Sequence, residues 1–287
     1  EALVIQQIFD PLVYVDPAGD FVPGLATDWS FNEDGTEYTF HLRTDVKFHD
    51  GTDFNAEAVK FALDRAKKGL TPNAASPALL TTYEETVIVD DATVTVKFSE
   101  TNANFLLDLS RAWLMIPSPS AEEGQHIGTG PFFLENWAAQ DSITLKKNPD
   151  YNVAPSFRAH SGAAYLDEVV FRILPDTATR VIALQTGEAQ LVQDPSPVDA
   201  STMKDDPAYQ LFTFSAPGLP SHQMINVEKF PTDDINVRKA MIYAVNSDEI
   251  MENASMGLTP AAHSIISPTT WGYNPDADNM YPYDLEK

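Results

Sequence analysis

His49, Asp50, Asp53 and Glu57 fall within nine residues of one another in "DVKFHDGTDFNAEAVKFAL", which runs from Asp45 to Leu63. Imidazole and carboxylate groups this close could share a metal ion, and a carboxylate beside a histidine could move protons. The spacing matches neither the calcium-loop pattern nor a paired-histidine zinc pattern. The same residues also have a local account. Asp50-Gly51 is a turn signal, Asn55 is placed to cap a helix, and Glu57 sits in its first turn, where the helix dipole favours an anion. Val59, Ala62, Leu63 and Ala66 then recur at helical spacing, Lys67 and Lys68 suit the C-terminal end, and Gly69 suits the position after it. Turn and cap chemistry is therefore the preferred reading, with no metal ligand expected here.

The other polar constellations are weaker. Gly128-Thr129-Gly130 precedes a proline and a strand, whereas a phosphate-binding glycine loop precedes a helix and carries a Lys-Ser/Thr pair. Glu84-Glu85 and Glu122-Glu123 are adjacent carboxylates, and neighbours in a strand or helix point apart. The six histidines, at 41, 49, 126, 160, 222 and 263, form no His-x-x-x-His element, and no Gly-x-Ser-x-Gly element occurs. No catalytic residue, metal ligand or cofactor is expected, and nothing argues for an enzyme. Aromatic residues offer more. Trp113 lies between a short helix, "NFLLDL", and the glycine turn, while Trp271 and Tyr273 lie in a loop. A tryptophan in such a place packs a junction or, in a cleft, serves as a ligand platform.

The elements that must hold these residues are legible in outline. "WSFNEDGTEYTFHLR" reads as a hairpin turning at Asp34-Gly35, with Tyr38, Phe40 and Leu42 on one face and His41 on the other. A further strand, "TVTVKF", puts Val94, Val96 and Phe98 on one side. After the glycine turn come antiparallel strands. Then "EVVFRIL", "DTATRVIALQTGE" and "AQLVQ" read as strand, helix capped by Asp176 and stopped at Gly187, and strand. Such a βαβ unit implies parallel pairing with a right-handed crossover. A similar unit opens with a strand at "HQMINV", followed by a helix from about Ile235 to Val245 and a second helix capped by Ser247. The closing "DLEK" reads as the first turn of another helix.

The bulk composition narrows the partners. At 287 residues the chain suits two domains better than one. The formal charge of −24, from 18 basic and 42 acidic residues, repels nucleic acid and anionic lipid. No apolar run approaches the roughly 18 residues of a membrane span. The absence of cysteine excludes disulfides, thiolate zinc sites and a cysteine nucleophile within this sequence.

The order of motifs is more specific than any one of them. "IFDPLVYVDPAGDFVPGLATDWSFNEDGTEYTFHLRTDVKFHDGTDFNAEAVKFAL" resembles the opening of the family 5 extracellular solute-binding proteins, the peptide-, nickel- and opine-binding receptors of ABC transporters. "GTGPFFLENW", "ITLKKNPDY", "YLDEVVFRILPDTATRVIALQTGEAQLV" and "DDINVRKAMIYAVNSDEI" resemble later motifs of that family in order. The resemblance implies an α/β, two-lobed periplasmic binding protein fold with an incomplete second lobe. It implies a first lobe over 1–28 and 119–214, an inserted small subdomain over 29–118, and the start of the second lobe over 215–287. The usual first strand would precede Glu1, much of the second lobe would follow Lys287, and residues 119–127 would be shorter than usual. It further implies that His49 and its neighbours are structural. Trp113, Gln6, Gln7, His222, Gln223 and Trp271 are the expected ligand contacts, the first and last also on their aromatic character. The expected protein is a periplasmic, monomeric receptor that delivers a peptide, metal chelate or opine-like solute to the permease subunits of an ABC importer. An extracytoplasmic hydrolase on a similar scaffold, and a binding module fused to a regulator, are the alternatives; cleavage of the bound solute would mark the hydrolase.

Overall fold

A computed structural model of the chain describes residues 2–69, 76–122, 124–270 and 272–287. The chain divides into two compact units, Glu1–Ile173 and Leu174–Lys287.

The first unit begins with helix α1 (Ala2–Ile8), followed by a small hairpin, β1 (Val13–Val15) and β2 (Phe21–Pro23). Next come β3 (Ala26–Phe31) and β4 (Glu37–Leu42), turning at Gly35 with φ +63°. Helix α2 (Ala56–Lys67) and the short α3 (Ser76–Leu79) lead to β5 (Tyr83–Asp90) and β6 (Thr93–Phe98). The four longer strands form one antiparallel sheet in the order β3-β4-β6-β5.

Alternation along β4 and β6 decides which face is buried. Tyr38, Phe40, Leu42, Val94, Val96 and Phe98 all point into the core, against Val59, Ala62, Leu63 and Ala66 of α2. Helix α4 (Phe105–Leu109) plugs one end. Its Phe105 ring lies 4.7 Å from that of Phe98 and 6.1 Å from that of Phe40, both edge-on. Each such fully buried side chain contributes roughly 1.5–3 kcal/mol.

Asn55 starts α2 in extended backbone and accepts the Ala58 N–H at 3.2 Å. Gly69, at φ +67°, follows its C-terminal end. Asn55→Ala is expected to lower stability by about 1 kcal/mol in a urea melt and to leave ligand binding alone. An unchanged midpoint would mean that this cap carries no stability.

The unit closes with β7 (Phe132–Ala138), β8 (Ser142–Lys147) and β9 (Glu168–Arg172), an antiparallel sheet in that order. Leu145 is fully buried between its partners Leu134 and Val169, and with Phe132 and Ile8 it forms a second, smaller core.

The second unit holds α5 (Thr177–Gln185), α6 (Pro197–Met203), α7 (Ile235–Tyr243) and α8 (Ser247–Ser255). Two helix starts are built alike. Asp176 and Asp234 cap α5 and α7, accepting the N–H of Thr179 and Asn236. Four residues on, Arg180 and Arg238 each reach back to two carbonyls just outside their helix: Leu174 and Pro175 for one, Thr232 and Asp233 for the other. The α8 cap is Asn246, which accepts the Glu249 N–H at 3.2 Å, and not Ser247, which is the first helical residue. Asparagine and serine compete evenly for a cap, so the sequence alone could not choose between neighbours.

Two expected strands do not form among the described residues. "AQLVQ" turns back on its own helix: the Ala189 N–H bonds to the Ala183 carbonyl at 2.9 Å, and the Arg180 guanidinium takes the Asp194 carbonyl at 3.0 Å. Leu191 remains 76% exposed. "HQMINV" likewise has no ladder, with Met224 at 90% exposure. Apolar alternation states what a strand would bury once paired; it does not supply the partner. The expected parallel βαβ pairing is therefore absent from the described residues. The closing "DLEK" makes a turn, not a helix. No helix among the described residues is long and apolar enough to cross a membrane.

Candidate functional site

The His49 stretch is pinned on the glycine turn. The His49 Nδ1 accepts the Gly128 N–H at 3.3 Å, and its Nε2–H donates to the Gly130 carbonyl at 3.0 Å. The His49 backbone N–H donates to the Gly128 carbonyl at 2.9 Å. Both ring nitrogens are thus spent on backbone, which fixes the neutral tautomer and leaves no lone pair for a metal. Burial pushes the imidazole pKa down, against a smaller opposing effect from the Gly130 bond and the Asp50 charge.

Asp50 is spent in the same way. Its Oδ1 accepts the backbone N–H and hydroxyl of Thr52, and its Oδ2 accepts the hydroxyls of Ser118 and Ser120. Burial would raise this carboxyl, but the bonds from Ser120, Thr52 and Ser118 outweigh it and bring the pKa to about 2. Asp53 pairs with Lys47 at the surface. His49 and Asp50 tie the 45–53 loop to residues 118–130.

Beneath the glycine turn lies a cluster that no local motif announced. Asp10 is 1% exposed, and three hydroxyls donate to its carboxylate: Tyr14 at 2.6 Å, Thr129 at 2.7 Å and Tyr151 at 3.1 Å. Its partners lie as far as 141 residues away in sequence. The available signal was an acidic residue inside the apolar run "IFDPLVYV".

The expected ligand contacts fall into separate surroundings. Gln6 is exposed and Gln7 half-buried on α1, whose end rests on the glycine turn through the Gly130 N–H to the Ile8 carbonyl at 2.9 Å. Trp113 is half-buried; its backbone carbonyl accepts the Ser76 hydroxyl at 3.0 Å, and its indole N–H has no acceptor among the described residues. Both segments lead to Asp10, because the Ile116 N–H donates to the Asp10 carbonyl at 3.4 Å. In the second unit, His222 and Gln223 are exposed, and the His222 ring bonds to the Pro220 carbonyl at 2.8 Å. Trp271 lies outside the described residues.

The fold is that of the periplasmic binding proteins. It matches NikA from Brucella suis in complex with Fe(III)-EDTA with a TM-score of 0.84 at 23% identity, over 100% of this chain and 58% of that one. It matches the periplasmic binding protein DppA from Helicobacter pylori in complex with the peptide STSA with a TM-score of 0.76 at 30% identity, over 98% of this chain and 58% of that one. The profile of the bacterial extracellular solute-binding proteins, family 5, middle region, matches residues 20–287. The chain belongs to that family. It is 35% identical to the dipeptide-binding protein of Escherichia coli over 93% of this chain and 54% of that protein, and 32% identical to the heme-binding protein A of Haemophilus influenzae over 98% and 55%. The chain thus spans little more than half the length of these relatives.

Proposed function

We propose that the chain is part of a periplasmic receptor that captures a small peptide and hands it, as a monomer, to the permease subunits of an ABC importer. The 35% identity to a dipeptide-binding protein carries this reading. The reading takes residues 1–28 and 119–214 as the first lobe, 29–118 as its inserted subdomain and 215–287 as the start of the second. Ligand binding shifts an open–closed equilibrium and breaks no covalent bond, so the ligand is recovered intact. Metal chelates and opine-like solutes are the alternative ligand classes.

Trp113, Gln6, Gln7, His222, Gln223 and Trp271 are the proposed ligand contacts. Trp113 has the strongest physical case among the described ones. Its indole joins a wide apolar face to an N–H that has no acceptor among the described residues. In the full-length protein, titrated with alanyl-leucine in a calorimeter, Trp113→Ala is expected to weaken binding about tenfold, or about 1.4 kcal/mol. The melting temperature of the ligand-free protein is expected to hold. Unchanged binding with a melt several degrees lower, on the order of 1–2 kcal/mol, would make Trp113 a packing residue and remove it from the site.

A further inference from the structure

The Asp10 cluster is a buried polar feature of the first unit that ligand binding, as proposed, does not use. Four chain segments meet at it. The Asp10 carboxylate takes the hydroxyls of Tyr14 on β1, Thr129 in the glycine turn and Tyr151 beyond β8, and its carbonyl takes the Ile116 N–H. Asp10 itself stands two residues after α1, which bears Gln6 and Gln7, and Ile116 stands three residues after Trp113. Leu12 and Val13, just after it in the chain, Leu25, whose N–H bonds to the Pro11 carbonyl, and Ile116 are all fully buried.

The geometry points to Asp10 as a positioning residue that sets α1 and the 113–116 segment in register, and so sets the ligand-contacting face of the first unit. This rests on the reading of Gln6, Gln7 and Trp113 as ligand contacts.

Filling this volume requires no carboxylate; a leucine would do so and avoid burying a charge. What the carboxylate adds is direction, because each oxygen fixes where its hydroxyl partners stand. The cation nearest in charge, Arg43, is committed elsewhere: its guanidinium forks onto Asp45 and donates to the Asn152 carbonyl. Among the described residues, hydroxyls therefore supply the side-chain hydrogen bonds to the Asp10 carboxylate, and the Arg43 charge acts on it without a direct bond. Burial raises its pKa, while the bonds from Tyr14, Thr129 and Tyr151 oppose that rise. Since a hydroxyl donates or accepts, the ring closes around either protonation state.

The test uses the full-length protein, with amide hydrogen exchange as a readout that needs no ligand. In Asp10→Ala, exchange at Ile116 and Gly130 is expected to quicken about 30-fold while Val59 and Leu63 in α2 keep their protection. Binding of alanyl-leucine is expected to weaken about tenfold or more in the same variant. Asp10→Asn keeps the shape and can still accept from two hydroxyls, so it is expected to stay within about threefold of the parent in affinity. If Asp10→Ala does not fold, Tyr151→Phe, which removes only the 3.1 Å bond, must show the same pattern at smaller amplitude. Exchange that quickens equally in α2 would make the cluster a general stability element and overturn the proposal. So would unchanged exchange at Ile116 and Gly130. Local exchange as expected in a protein that binds no dipeptide would keep Asp10 as the positioning residue and remove the peptide reading instead.

Discussion

Gly128→Ala is expected to lower the stability of the protein by about 3 kcal/mol, because the new methyl has nowhere to go. A Cβ at position 128 would stand 2.1 Å from the Ile8 carbonyl oxygen and 2.6 Å from the Phe9 ring. At position 130 it would stand 2.6 Å from the Gln7 carbonyl oxygen. These neighbours are largely backbone, so relief requires α1 to move off the turn. Neither glycine has the positive φ found at Gly35 or Gly51; the demand is for close approach, not for a left-handed backbone. Lifting α1 would also break the Gly130 N–H bond to Ile8 and disturb the Gly130 carbonyl, which accepts from both His49 and Asn148. Gly19→Ala is the control. Gly19 has φ +92° and nothing within 4 Å of a Cβ, so it should cost only about 1 kcal/mol, from backbone strain. Urea melts of the full-length variants measure both. A Gly128→Ala midpoint no lower than that of Gly19→Ala would show that α1 does not press on the turn.

The glycine turn shows where sequence reading stops. "HIGTGPFF" declares a turn before a strand, and β7 does follow it. That the turn is the seat of α1, His49 and Asp10 depends on contacts from residues 79 to 122 positions away, and no local pattern encodes those. Caps are the opposite case. Asn55 and Asp176 each bond to a backbone N–H three residues on, so a short window contains the whole interaction. The same locality gave the faces of β4 and β6, whose alternation matches their burial residue by residue.

Strands without partners are the third case. "AQLVQ" and "HQMINV" carry strand composition, yet a ladder is a property of two segments, and Leu191 and Met224 stay exposed without one among the described residues. The family resemblance rests on the order of many modest motifs and was legible throughout. The proposed ligand contacts were not legible to the same degree. Trp113, Gln6 and Gln7 carry no spacing rule of their own, and their common link through Asp10 appears only in three dimensions.

Acidification below about pH 6.5 should weaken the fold, and His49 should account for much of the slope. In the folded protein the ring is neutral, with Nδ1 accepting from Gly128 and Nε2–H donating to Gly130. A proton on Nδ1 would set N–H against N–H. The folded pKa therefore lies below the ordinary histidine value, with burial the leading cause. In the unfolded chain the ring titrates near that ordinary value, about 6.5. The contribution is thus fully present above about 6.5 and is lost as pH falls from there towards the depressed folded value. Asp50 cannot produce this slope. Its carboxylate is held down to about 2, so its own contribution is lost only in a far more acidic window. His126 is shifted in the same direction as His49, by burial and by the charge of Arg65, and it leaves a residual slope. The expected result is that His49→Gln costs about 2 kcal/mol at pH 8, where two backbone groups lose well-placed partners, and flattens the pH dependence below that. Urea melts at half-unit steps from about pH 8 to 5, on the full-length parent, His49→Gln and His126→Gln, measure it. A His49→Gln profile as steep as the parent's, with His126→Gln flat, would move the acid sensitivity from the glycine turn to His126.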